Sequence, residues 1–429
     1  MDYHSPVMKA QEIIRHLDQD YSEPIRDPLW KHIYLSPAMM GLAASTPFRK
    51  IGGIKQLGVA HLVYPGATHT RLAHSLGVFC LAKKIIRVLL ACPGAPQLSL
   101  EGVKAFLCAA LLHDIGHFPF THSLKELPLK THEALTASLI LDEPLAGIIR
   151  EKAGTDPELC AAIVDESPAK GGKEAEFFRH ILSGMLDPDK LDYLCRDAYY
   201  CGVPYGMQDI DFVIDRIHPH PDKGIAIDAS GLPAVENILF SKYLMYRTVY
   251  WHRTVRIATA MIKKAVFLAL AEGVIAPKDL YGLDDEDFFR TVGAKDFPPL
   301  TLIRKAAARD LYKAAAEAPY EDAFSPLVDL GRRARAEAAL AGEINRITGL
   351  ALKPEEVIID IPENINFEVE LPVLKPDGSF TDYSHSDSVF SSPSAGNFSR
   401  PLRVLRLILP AEAARKIKNE AAFLLSSIK

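Results

Sequence analysis

Apolar residues recur at helical spacing along most of the chain, which predicts a mainly α fold. Val7, Ile13, Ile14 and Leu17 mark a short amphipathic helix over 7–18, and residues 27–36 read as a turn and short strand. Residues 69–91 form a long helix ended by Pro93, with His74, Val78, Leu81 and Ile85 on one stripe. Ser99 is placed to cap a helix running to Leu112, with Glu101 in its first turn. Helices follow at 174–186 and at 188–201, the second capped by Asp187 with Pro188 in its first turn. A small β excursion at 223–231 precedes the longest periodic segment, a helix over 233–272. Beyond Pro277 the pattern predicts helices near 300–317 and 325–348, then strand-like runs at 356–362 and 366–374. A Ser-rich stretch at 379–399 leads to a last strand, Leu402–Leu409, and a helix from Ala411. The shift in pattern divides the chain into a helical core, 1–275, and a smaller α+β region, 276–429.

Composition narrows the classes. A chain of 429 residues that is 48% hydrophobic and 24% charged is ordinary for a globular protein larger than one average domain. A net charge of −5 leaves no strong nucleic-acid footprint, so an anionic ligand would need a local basic pocket. The six cysteines contain no Cys-x-x-Cys pair and read as reduced core residues. No apolar run is long enough to span a bilayer, and the expectation is a cytoplasmic protein without membrane association.

The densest chemistry is the run His113-Asp-Ile-Gly-His-Phe-Pro-Phe-Thr-His122. His113 and Asp114 sit where an apolar helix runs out, Gly116 and Pro119 stop regular structure, and His117 and His122 follow. Buried imidazoles need hydrogen-bond partners or a metal, and four ligand-type side chains in ten residues point to a metal site. His74 faces inward on its helix, and Asp189 begins a polar stripe, Asp189, Tyr193, Asp197, on an otherwise apolar element. Two imidazoles and two carboxylates suit Mn, Fe, Zn or Ni better than Ca.

His74, His113–Asp114 and Asp189 match the H…HD…D pattern, and the chain resembles the HD-domain metal-dependent phosphohydrolases. Three further runs are similar to the deoxynucleoside triphosphate triphosphohydrolases within that group. They are Ile54-Lys-Gln-Leu-Gly58, Tyr64-Pro-Gly-Ala-Thr-His69 with Arg71-Leu-Ala-His-Ser-Leu-Gly77, and Asp189-Lys-Leu-Asp-Tyr193 followed by Arg196-Asp197. The resemblance covers about residues 27–260 and implies an HD-domain helical core. It implies one divalent metal per site (Mn, Fe, Zn, Ni or Mg) on His74, His113, Asp114 and Asp189, and deoxynucleoside triphosphates as substrate. His117, His122 and His132 would act at the α-phosphate. Arg71, Lys190 and Lys242 would neutralise phosphate, and Tyr193 would close the C2′ side of the sugar. Gln56 and Asp197 would receive the 3′-hydroxyl, with Leu57 beside them and Tyr250 near the base. A homodimer or higher homo-oligomer is also implied.

The chain departs from that pattern at three places. Lys125 stands where a catalytic carboxylate follows the third histidine, so a carboxylate orienting His132 must come from Glu126, Glu133 or elsewhere. Lys242 replaces an arginine, which keeps the charge and loses the bidentate fork. Residues 48–53, Phe-Arg-Lys-Ile-Gly-Gly, replace a Gln-Arg-Leu-Arg segment, so activation by a guanine nucleotide there is expected to be absent or altered. These changes leave room for an HD phosphohydrolase of other nucleotides, such as monophosphates or alarmones. The complete ligand set argues against a non-catalytic sensor.

Overall fold

A computed structural model describes residues 6–166, 172–365, 370–386, 388, 390 and 400–428. Its centre is the Arg71–Ala91 helix, packed against the Leu100–Leu112 and Pro188–Cys201 helices. The Leu100–Leu112 helix reads Leu-Glu-Gly-Val-Lys-Ala-Phe-Leu-Cys-Ala-Ala-Leu-Leu and buries every residue from Ala105 onward. A helix apolar all round must lie inside the protein, and its end therefore delivers His113 and Asp114 to the interior. Ser99 caps it through the Gly102 amide, as the sequence predicts, and Asp187 caps the Pro188 helix through the Lys190 amide. The Pro157–Val164 and Gly172–Leu182 helices close this first core.

A second core forms around the Arg253–Ala271 helix, where Ala258, Met261, Ala265 and Val266 meet Val59, Phe118, Phe288 and Ile303. It joins residues on both sides of position 275. A third lies against the C-terminal sheet, under Ile344, Val357, Leu405 and Leu407.

Among the described residues, three small sheets surround the helices. β1 (Glu23–Asp27) and β2 (Lys31–Leu35) make an antiparallel hairpin. β3 (Ile217–His220), β4 (Gly224–Asp228), β7 (Pro372–Leu374) and β8 (Phe380–Asp382) form a four-stranded sheet in that order, with β4 and β7 parallel. β9 (Val404–Leu409) lies between β5 (Lys313–Pro319) and β6 (Ile358–Asp360), antiparallel to both.

Two elements differ from the pattern-based reading. The helix expected over 233–272 is two helices, Leu232–Met245 and Arg253–Ala271, separated by a π turn at Tyr246–Tyr250. His252 caps the second helix by accepting from the Thr254 amide, a competing hydrogen bond that periodicity cannot register. The wider turn directs Tyr246, Tyr250 and Trp251 into a cavity. The helix expected to reach 317 ends at Ala307, and Lys-Ala-Ala-Ala-Glu-Ala-Pro becomes β5. Alanine favours helix, but pairing with β9 overrides that weak preference, and its small side chains admit the Ala421–Ser426 helix. The expected strand at 366–374 is described only from 370, where β7 occupies 372–374. Residues 391–399 of the Ser-rich stretch fall outside the described residues.

Candidate metal centre and adjoining cavity

His74, His113, Asp114 and Asp189 come together from three helix segments. His74 Nε2 lies 2.8 Å from Asp189 Oδ1 and 4.0 Å from Asp114 Oδ2, and His113 Nε2 lies 3.4 Å from Asp114 Oδ1. The inner nitrogens are fixed by what the outer ones do. His74 Nδ1 donates to Asp192 Oδ2 at 2.8 Å, and His113 Nδ1 donates to the Ala110 carbonyl at 3.0 Å. His113 Nε2 is buried with no hydrogen-bond partner. An orphaned imidazole nitrogen facing two carboxylates, with both rings oriented from behind, is the donor set of a divalent-metal site. Burial alone would lower the His74 pKa, but its bonds to Asp189 and Asp192 outweigh this and raise it to about 10. Burial likewise opposes ionisation of Asp114, yet His117, His113 and Arg71 hold its carboxyl well below the usual range. The same field favours a bound cation.

Behind this layer, Asp192 accepts from His74, twice from Arg196 and from Trp30 Nε1 at 2.5 Å, while Arg196 Nη1 reaches Asp27 at 2.9 Å. Asp192 and Arg196 are fully buried, one turn apart on the Pro188 helix. Gly77 makes room for them, since a Cβ there would lie 1.9 Å from Asp192 Oδ1. Both residues lie within the sequence motifs, but this supporting role is not evident from the motifs themselves. A buried Asp–Arg pair at i, i+4 beside a ligand was the available signal.

His117, His122 and His132 form a second cluster beside the first. His117 Nε2 is 3.2 Å from His122 Nε2, and the His117 and His132 rings are 4.0 Å apart. His117 Nδ1 is 3.1 Å from Asp114 Oδ1, which ties the two clusters together. Loss of hydration, with the Arg71 charge adding to it, lowers the pKa of all three imidazoles. The question of which carboxylate stands by His132 has a geometric answer: Glu133 Oε2 is 3.2 Å from His132 Nδ1. Glu126 is turned away, held by Lys263 at 3.0 Å and Arg333 at 3.1 Å.

Both clusters open into a cavity of about 390 Å³. Gln56, Leu57, Arg71, Tyr193, Asp197 and Tyr250 line it. Gln56 Oε1 is buried without a partner, and Tyr193 and Tyr250 meet edge to face at 6.5 Å. Asp197 is clamped by Tyr250 Oη at 2.7 Å and His69 Nε2 at 2.8 Å. Lys190 and Lys242 do not line it, contrary to expectation. The Lys190 ammonium folds back onto its own helix start, 2.6 Å from Asp187 Oδ2 and 2.8 Å from the Gly184 carbonyl. Lys242 precedes the π turn, which directs Tyr246 and Tyr250, not the lysine, at the cavity. Lys55, Lys125, Arg256 and Glu363 line it instead, the last two positioned by tertiary contacts that no local motif encodes.

Residues 71–175 match the HD domain family, and residues 209–385 match the HD associated region. An uncharacterized protein of Methanocaldococcus jannaschii is 34% identical over 292 residues, which cover 67% of this chain and 58% of that one. The human deoxynucleoside triphosphate triphosphohydrolase SAMHD1 is 29% identical over 283 residues, 58% of this chain and 45% of that one. The chain thus spans about half the length of the curated relatives it matches. A crystal structure of a hypothetical protein from Aquifex aeolicus aligns with a TM-score of 0.70 at 26% identity, over 94% of this chain and 99% of that one. The HD match contains His74, His113 and Asp114, the associated region contains the π turn and Glu363, and the geometry joins both in one cavity. This chain belongs to the HD-domain family, and it is similar to the deoxynucleoside triphosphate triphosphohydrolases.

Proposed function

We propose that the protein hydrolyses deoxynucleoside triphosphates to deoxynucleoside and tripolyphosphate. His74, His113, Asp114 and Asp189 would hold a divalent transition metal, and such an ion supplies Lewis-acid activation at a phosphoryl centre. The observation that carries the reading is the cavity's polarity from end to end. Three imidazoles stand beside the metal ligands, while Tyr193, Tyr250, Gln56 and Asp197 wall off the other side. His117 and His122 orient the attacking water, and His132, steadied by Glu133, gives a proton to the departing 5′-oxygen. Arg71 stabilises charge on the phosphoryl oxygens from within the buried layer. Tyr193 occupies the space a ribose 2′-hydroxyl would need, and the unpartnered Gln56 oxygen accepts from a 3′-hydroxyl. The SAMHD1 relatives, named as deoxynucleoside triphosphate triphosphohydrolases, support the substrate class. A homo-oligomer in the cytoplasm is part of the same proposal.

The test is product analysis by ion-exchange chromatography over a panel of deoxy- and ribonucleotides with Mn, Fe, Zn, Ni or Mg added. Tripolyphosphate and deoxynucleoside in equal amounts are expected. Orthophosphate alone, with triphosphates untouched and monophosphates consumed, would move the assignment to a nucleotidase.

A further inference from the structure

Among the described residues, four cationic side chains line the cavity: Lys55, Arg71, Lys125 and Arg256. Three are paired with sheltered carboxylates, although Arg71 keeps its Nε without a partner. Lys55 pairs with Asp285 at 3.1 Å, Arg71 with Asp114 at 2.7 Å and Arg256 with Asp360 at 2.5 Å. Those carboxylate side chains are 10%, 5% and 0% exposed. Removing a partner from such a pair leaves an uncompensated charge in a poorly hydrated place, so these pairs persist.

Lys125 differs. Its ammonium lies 3.3 Å from Glu363 Oε2, and the two side chains are 56% and 25% exposed. A pair this hydrated holds weakly and exchanges readily. Its position matters more than its strength. Lys125 directly follows the Thr121–Leu124 segment that carries His122, whereas Glu363 comes from the chain beyond β6 and lies within electrostatic reach of Arg256 and Tyr246. The ion pair thus links the HD segment to the C-terminal region at the cavity wall.

We propose that Lys125 and Glu363 form an exchangeable ion pair that selects polyphosphate ligands, a reading that rests on the cavity being a nucleotide polyphosphate site. A terminal phosphate carries more charge than one carboxylate and offers three acceptors, so it displaces Glu363 and takes the Lys125 ammonium. An anion reaching the histidine cluster without extending to Lys125 gains nothing from that exchange and still meets the Glu363 charge. Lysine at 125 then has a role of its own, in place of the carboxylate the resemblance leads one to expect.

The test is calorimetric titration of the full-length, metal-loaded protein with inorganic tripolyphosphate or orthophosphate, each with one equivalent of magnesium. Lys125→Gln should weaken tripolyphosphate roughly tenfold and leave orthophosphate unchanged, as expected for one charge-assisted contact. Glu363→Gln should tighten tripolyphosphate by roughly two- to fivefold, the range of an exposed pair. In the double variant that gain should vanish, because Glu363 acts through Lys125. Equal weakening of both anions by Lys125→Gln, or an undiminished Glu363→Gln gain without Lys125, would overturn the proposal. Both side chains are exposed enough for the variants to fold, and the swapped pair Lys125→Glu/Glu363→Lys provides a second measurement: it should bind tripolyphosphate more tightly than Lys125→Gln, and no tighter binding counts against the exchange. If no deoxynucleotide is hydrolysed while the tripolyphosphate pattern holds, the substrate reading fails and the ion-pair inference stands. Hydrolysis without that pattern gives the reverse.

Discussion

Replacing Asp192 by Asn exchanges one carboxylate oxygen for an NH₂ group and tests how the metal centre is supported. The Asp192 carboxylate receives four N–H donors, His74 Nδ1, Arg196 Nε, Arg196 Nη2 and Trp30 Nε1, at 2.8, 2.8, 2.9 and 2.5 Å. Asparagine offers one oxygen and one NH₂ group, so in either amide orientation two donors face a donor. Arg196 loses one of its two bonds in both orientations and keeps only Asp27 as a full counter-charge. Breaking a buried charge pair from one side costs about 3–5 kcal/mol, against a total stability of about 5–15 kcal/mol. His74 also exchanges a carboxylate acceptor for a neutral amide, or loses it, which should weaken metal binding by roughly 10–100-fold. The assay is elemental analysis of purified protein, competition with a fluorescent chelator, and thermal unfolding with and without added metal. Trp30→Phe is the control: it removes one neutral donor and should leave metal affinity as it was. Wild-type metal affinity and melting temperature in Asp192→Asn would refute the claim that this network orients His74.

Three further outcomes follow from the geometry. Gly77→Ala should reproduce the Asp192→Asn phenotype without replacing a polar group, because its Cβ would lie 1.9 Å from Asp192 Oδ1; unchanged metal content and melting point would count against the close packing. His113→Ala and Asp114→Ala should each lose the metal and all hydrolysis while keeping the helical circular dichroism signal, and full activity of metal-free Asp114→Ala would sink the ligand assignment. Tyr193→Ala should narrow the kcat/KM ratio between matched deoxy- and ribonucleotides by admitting the extra hydroxyl, and an unchanged ratio would remove Tyr193 from sugar selection.

How much of this could be read from the chain depends on which interactions are local. The apolar Leu100 helix, the Ser99 and Asp187 caps and the position of His113–Asp114 at a helix end all follow from spacing and side-chain chemistry within one element. His74, His113, Asp114 and Asp189, spread over more than a hundred positions, belong to separate motifs that the fold brings together. The π turn is not legible in the sequence, because a wider turn rich in apolar and aromatic residues leaves hydrophobic periodicity almost intact while redirecting the side chains. Lys190 misled for a related reason. Its place in Asp-Lys-Leu-Asp-Tyr suggested a phosphate ligand, yet Asp187, three residues earlier, is both the helix cap and the nearest counter-charge. Glu126 and Glu133 were equal candidates beside Lys125, and nothing local separates them. Lys263 lies in the second core and Arg333 on the Leu330–Thr348 helix, and together they draw Glu126 away. Glu133, in the first turn of the His132–Leu141 helix, stays beside its histidine. Glu133 is thus left beside His132 by two cations 137 and 207 residues beyond Glu126, an effect that belongs to the tertiary fold.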